Sequence, residues 1–188
     1  MLQQMSARLR AEPDLKSAMA RLLTDVVALH GAEFGDVQLA ADGILFLVDQ
    51  SGFDAPFVTA FKHVEVSSTT ACARAFRHRA AVLIRDVGED PEFQPYRAAA
   101  VMAGFRAVQS TPLIGTDGTC IGVVSTHFAN PHMPTAIEMQ TLDDYARVAA
   151  DFVRTLAPSG FRAIIRSMNT AVGRPVVGDG PETDRSIP

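Results

Sequence analysis

The chain has 188 residues, of which 47% are hydrophobic, and a formal charge of −4, which suits one domain with its own core rather than a basic nucleic-acid binder. A mean hydropathy of +0.12 argues against global disorder. The longest apolar run, residues 98–105, falls far short of the roughly 18 residues of a membrane span, and the first five residues carry no export pattern, so the expected compartment is the cytoplasm.

In chain order, residues 1–12 read as an N-terminal extension. A helix is expected over 13–30, because Leu15, Met19, Leu22, Val26 and Leu29 recur at spacings of three and four and Gly31 supplies a stop. Arg21 and Asp25 sit off that stripe. Leu23 and Val27 form a second apolar shoulder, so the helix should touch both a sheet and another helix. Residues 36–40 and 44–48 read as two strands joined by a turn at Asp42-Gly43. Asp54-Ala55-Pro56 opens a short helix ending near Lys62.

Thr69 or Thr70 then caps a helix carrying Cys72, Ala75 and Phe76, followed by a short strand over 81–84. Residues 85–91 form a polar loop, and residues 94–104 an Ala-rich helix. A hairpin follows, with strands over 105–114 and 120–128 around the turn Gly115-Thr116-Asp117-Gly118. Pro112 must sit where the ladder needs no donor. Thr135 and Glu138 form a capping box at the head of a long helix reaching Leu156, with Ile137, Leu142, Tyr145, Ala149, Phe152, Val153 and Leu156 as its apolar set. Residues 157–172 hold an amphipathic tail helix, and 173–188 read as a disordered tail. Strands in hairpins with the long helices at the chain ends make an α+β plan on an antiparallel sheet of about six strands. The long helices should share one face and the crossover the other.

Several strings fall in a telling order: Gly31-Ala32-Glu33-Phe34-Gly35-Asp36, Thr70-Ala71-Cys72, Arg85-Asp86-Val87 with Asp90-Pro91, residues 104–113, and Gly122-Val123-Val124-Ser125-Thr126-His127-Phe128. Together, over about residues 15–155, they resemble a bacterial GAF domain of the sensor-kinase-associated type. The resemblance implies a six-stranded antiparallel sheet, helices on one face, and a pocket for an unidentified small molecule on the other. It also implies a role in signal transduction and a homodimer through helices 13–30 and 135–156. The Asn-Lys…Phe…Asp-Glu signature of cyclic-nucleotide members is absent. Arg85-Asp86-Val87-Gly88 lacks the proline of the bilin-binding motif, and the cysteine-free stretch 74–119 departs from the free methionine sulfoxide reductases.

Six residues are candidates for the ligand site. Cys72 lies at a helix start, where the dipole can lower a thiol pKa; the plainer reading is a small core side chain. Asp86 stands in the polar loop, where a carboxylate either recognises a ligand or closes its own turn. Tyr96 opens the Ala-rich helix. Gln109 and Thr111 share one face of a covered strand, with Ser110 on the other, and a buried polar side chain needs a partner. His127 ends the last strand, where it can titrate or bind a ligand, or be satisfied structurally. Neither the histidines nor Cys72 and Cys120 have metal-ligand spacing, and no phosphate loop or serine elbow occurs. The cofactor is therefore left unknown, and neither nucleic acid nor membrane is an expected partner. A sensory ligand-binding domain is the leading expectation. The alternatives are a thiol reductase using Cys72 or Cys120, and a dimerisation module whose pocket is plugged.

Overall fold

A computed structural model describes residues 1–156 and 161–172. Its elements are α1 (Leu2–Arg10), α2 (Leu15–His30), β1 (Phe34–Ala41), β2 (Ile44–Ser51), α3 (Ala55–Phe61), β3 (His63–Glu65), α4 (Ala71–His78), β4 (Val82–Ile84), α5 (Arg97–Ala103), β5 (Ala107–Ile114), β6 (Cys120–Phe128), α6 (Ala136–Leu156) and α7 (Phe161–Ala171). The six strands form one sheet in the order β3-β2-β1-β6-β5-β4, with every pairing antiparallel.

Local chemistry explains most boundaries. Asp14 caps α2 by accepting from the Ser17 amide at 2.8 Å, and Gly31 ends it in the left-handed region. Asp42 and Gly43 both adopt positive φ, 52° and 77°, the twist that a two-residue hairpin between right-twisted strands requires. Thr70 caps α4 by accepting from the Ala73 amide. The capping box of α6 forms, with the Thr135 amide donating to Glu138 Oε2 at 2.7 Å and the Glu138 amide donating to Thr135 Oγ1 at 3.3 Å. Pro112 lies beyond the last residue of β5 that pairs with β4, so no ladder bond is lost there.

Alternation along the strands separates two cores. Val37 and Leu39 of β1, Leu113 of β5 and Val124 of β6 face α2 and α6. Leu45 and Leu47 of β2, Val108 of β5 and Val123 of β6 face the layer of α3, α4 and α5. The helix layer lies close to the sheet: a methyl added at Gly35 would come 2.6 Å from Val27 Cγ2 and 2.8 Å from Leu23 Cδ1. At Gly122 any side chain would run into the Gln38 carbonyl of β1, so that crossing of strands needs glycine.

Three features differ from the sequence reading. Within the N-terminal extension, residues 2–10 form a helix that the sequence reading did not assign, and α1 buries Met5 and Leu9 against α2 and α6. Asp25, placed off the apolar stripe, is buried because Arg8 donates to its Oδ1 at 2.8 Å and the Tyr145 hydroxyl to its Oδ2 at 2.8 Å. Ile137, assigned to the apolar set of the last helix, is 71% exposed.

The tail helix docks on the sheet. Ile165 and Met168 join the helix-side core, and the buried Asn169 donates to the backbone carbonyls of Leu47 at 2.9 Å and Lys62 at 3.0 Å. The expected disordered tail, 173–188, lies outside the described residues.

Candidate functional site

The side of the sheet opposite the long helices holds a cavity of about 20 Å³, room for about one water. Its floor is three adjacent strands. β1 supplies Asp36 and Gln38, β6 supplies Ser125 and His127, and β5 supplies Val108 and Ser110. Its roof is the start of α4 (Thr70, Ala71, Cys72) together with Phe57, Phe61, Phe93 and Phe105.

The polar groups on the floor are organised by the strand register. Ser110 and Ser125 are directly opposite, and their hydroxyls are 2.9 Å apart. Asp36 pairs with Ser125 and Phe34 with His127, which places Asp36 and His127 on one face two residues apart across the ladder. Asp36 Oδ1 is 2.8 Å from His127 Nε2, with side chains only 4% and 7% exposed. The rings of Phe53, Phe57 and Phe105 stand edge-on to the His127 ring, with centroids 5.0, 5.6 and 4.6 Å away. The Gln38 amide nitrogen donates to the Phe61 carbonyl at 3.1 Å. Gln38 Oε1 and His127 Nδ1 are buried and have no hydrogen-bond partner among the described residues.

Cys72 reaches this cavity, but not as an activated thiol. Burial pushes its pKa up to about 12, and the nearby Asp36 carboxylate adds to the rise. Desolvation outweighs any lowering by the short helix α4 and the Thr70 contact at 3.3 Å. The Cys120 thiol is also pushed up by burial.

The six expected site residues therefore separate. Cys72 and His127 line the cavity. Gln109 and Thr111 do not: they lie opposite Thr126 and Val124 on the face covered by the long helices, and the Gln109 amide nitrogen donates to Thr111 Oγ1 at 3.4 Å. The face of that strand turned to the cavity is the one carrying Ser110. Asp86 is also outside the cavity. It closes its own turn by accepting from the Gly88 amide at 2.9 Å and pairs with Arg106. Tyr96 packs on Phe93 and Phe61 at the rim of an outer groove of about 220 Å³, lined also by His63, Glu65 and Ser68. Phe61 and Thr70 belong to both groove and cavity and separate the two.

Sequence reasoning missed Asp36, Gln38, Ser110 and Ser125. The available signal was the parity of β1: polar Asp36 and Gln38 alternate with apolar Val37 and Leu39 in a strand at the middle of the sheet, where neither face is open to water. Among the described residues, no group of three or more His, Cys, Asp or Glu side chains is placed to hold a metal ion. No described helix is long and apolar enough to cross a membrane.

An antiparallel six-stranded sheet with its long helices on one face and a roofed hollow on the other defines a class of small α+β domains. The GAF domain family profile matches residues 12–154, and the chain belongs to the GAF domain family. Solved structures share its fold at low identity. The free methionine-R-sulfoxide reductase from Neisseria meningitidis, in complex with its substrate, is 18% identical with a TM-score of 0.69, over 84% of this chain and 88% of that one. The GAF domain of a phosphoenolpyruvate-protein phosphotransferase from Coxiella burnetii is 14% identical with a TM-score of 0.73, over 85% and 94%. A domain of a putative two-component sensor histidine kinase from Sinorhizobium meliloti 1021 is 17% identical with a TM-score of 0.63, over 81% and 99%. No curated protein matches the chain.

Proposed function

We propose that this GAF domain is a cytoplasmic sensory module that binds a small molecule in the cavity between the sheet and α3–α5. The observation that carries this reading is that two side chains lining one cavity, Gln38 and His127, each bear a buried atom, Oε1 and Nδ1, without a partner among the described residues. A buried polar atom left unpaired costs about 1–3 kcal/mol, and an occupant that pairs with it recovers that cost. Access runs through the outer groove once Phe61 swings aside.

The signal leaves by the strands themselves. β1 and β6 carry the cavity on one face and α2 and α6 on the other, so a change at Asp36 or His127 is one residue away from Val37 or Thr126. A homodimer through helices 13–30 and 135–156 belongs to this reading. Since α1 already fills the groove between α2 and α6, the dimer would use their outer ridges, with Ile137 on one of them. The ligand can shift the equilibrium only by its different affinity for the two packings.

The small volume of the closed cavity favours one alternative, an assembly module that has lost its ligand. A thiol reductase has the raised pKa of Cys72 against it. Thermal unfolding with a panel of nucleotides, amino acids, tetrapyrroles and small amines tests the reading. A stabilising compound should lose its effect in Ser110→Leu, which fills the cavity, and should slow hydrogen exchange in α2 and α6. Stabilisation that survives Ser110→Leu, or none from any compound, would overturn it. Sedimentation with and without that compound tests the dimer.

A further inference from the structure

We propose that the cavity selects a ligand with a hydrogen-bond-donating head, an amine or a hydroxyl, on a flat apolar body, and that it rejects anions. This rests on the reading of the cavity as a ligand site and adds the chemistry of what enters.

Charge gives the first argument. The lining includes one carboxylate, Asp36, and neither arginine nor lysine. Recognition of a phosphate or carboxylate normally uses guanidinium, ammonium or free helix N-terminal amides. Of the α4 amides nearest the cavity, that of Ala73 already donates to Thr70 Oγ1. An anion would therefore lose its hydration beside a carboxylate and gain no cation.

Hydrogen-bond bookkeeping gives the second. The Phe61 carbonyl can only accept, so the group facing it must be the amide nitrogen of Gln38, and the free end is the carbonyl oxygen. Asp36 likewise accepts from His127 Nε2, so in the tautomer that carries its one ring proton at Nε2 the other nitrogen, Nδ1, has a lone pair. Both open positions are acceptors. They lie to either side of Asp36, because Gln38 pairs with Val123 and His127 with Phe34, so each takes its own donor. A hydroxyl, amine or ammonium head supplies a donor to either of them.

The walls give the third. Phe57, Phe61, Phe93 and Phe105 surround the polar floor, and a flat body or a cation meets their ring faces once Phe61 moves and joins the cavity to the outer groove of about 220 Å³. Glu65 on the outer groove extends the same sign of charge to the approach.

Four probes of one shape separate the possibilities: benzylamine, benzyl alcohol, toluene and benzoate, titrated into the full chain and followed by side-chain NMR of Gln38 and His127. Benzylamine and benzyl alcohol should bind and shift both side chains, with affinity at least about tenfold above toluene and benzoate. Gln38→Leu should remove about that tenfold preference. If Gln38→Leu does not fold, the amide and ring-nitrogen shifts of the native protein decide the matter alone. Benzoate or toluene binding there as well as benzylamine would overturn the donor-head inference while leaving the ligand site standing. If no probe binds either the native chain or Phe61→Ala, in which the partition to the groove is removed, the ligand site itself falls and the inference with it.

Discussion

The two faces of the sheet bury similar numbers of large side chains but treat polarity differently. On the helix side the cluster Arg8–Asp25–Tyr145 is closed: both carboxylate oxygens of Asp25 and the tyrosine hydroxyl are paired. On the α3–α5 side the dyad Asp36–His127 and the amide of Gln38 each keep one open position. Unpaired atoms alone do not mark a site, because His30 Nε2 and Gln109 Oε1 are also unpaired and belong to the helix side. What distinguishes the second face is that its open positions share a cavity with aromatic walls. A void beside two open acceptors is a place for an occupant; a tightly packed one is a static cost.

Substitutions on each face should break this contrast in order of size. Leu39→Ala empties a fully buried position under α2 and should cost about 2–5 kcal/mol, read from urea unfolding; a cost below about 1 would mean the helix side is loosely packed. Tyr145→Phe leaves Asp25 with one partner fewer and should cost about 1–3 kcal/mol, largely recovered when Asp25 is also made apolar. Asn169→Ala removes the donors to the Leu47 and Lys62 carbonyls and should cost about 1–2 kcal/mol, with faster hydrogen exchange confined to α7 and the adjoining part of β2.

A milder effect depends on pH. Burial lowers the His30 pKa below its usual 6.5. The unfolded chain then binds a proton that the folded one refuses, so this contribution is present above pH 6.5 and is lost as pH falls below it. Between pH 7.5 and 5.5 the urea midpoint should drop more for the native chain than for His30→Gln; equal drops would refute the assignment. Smallest of all, Gln38→Leu on the cavity side should change stability by less than about 1 kcal/mol, since it removes an unpaired acceptor along with one hydrogen bond.

Much of the fold was legible from spacing and caps. The stripe of α2, the Asp42-Gly43 turn, the Thr135–Glu138 box and the long hairpin all depend on neighbours within a few residues, and the structure reproduces each. The candidate site was legible in part. Cys72 and His127 line the cavity, whereas Gln109 and Thr111 lie on the other face of β5. Alternation says that Ser110 opposes them, but not which side of the sheet holds the hollow. Asp86 and Tyr96 were drawn in because polar and aromatic residues near a pocket look alike in sequence, whether they line it or build the turn beside it.

Local chemistry, written in the order of residues, determined the elements, their ends and the antiparallel plan, because capping, turn geometry and apolar periodicity act over one or two helical turns. Only the folded chain decided that Asp36 and His127, 91 positions apart, would share a hydrogen bond, that α1 would seal α2 against α6, and that Cys72 would be silenced by burial. Those outcomes depend on strand register and on which face each helix covers, and both are set by long-range packing of the whole core.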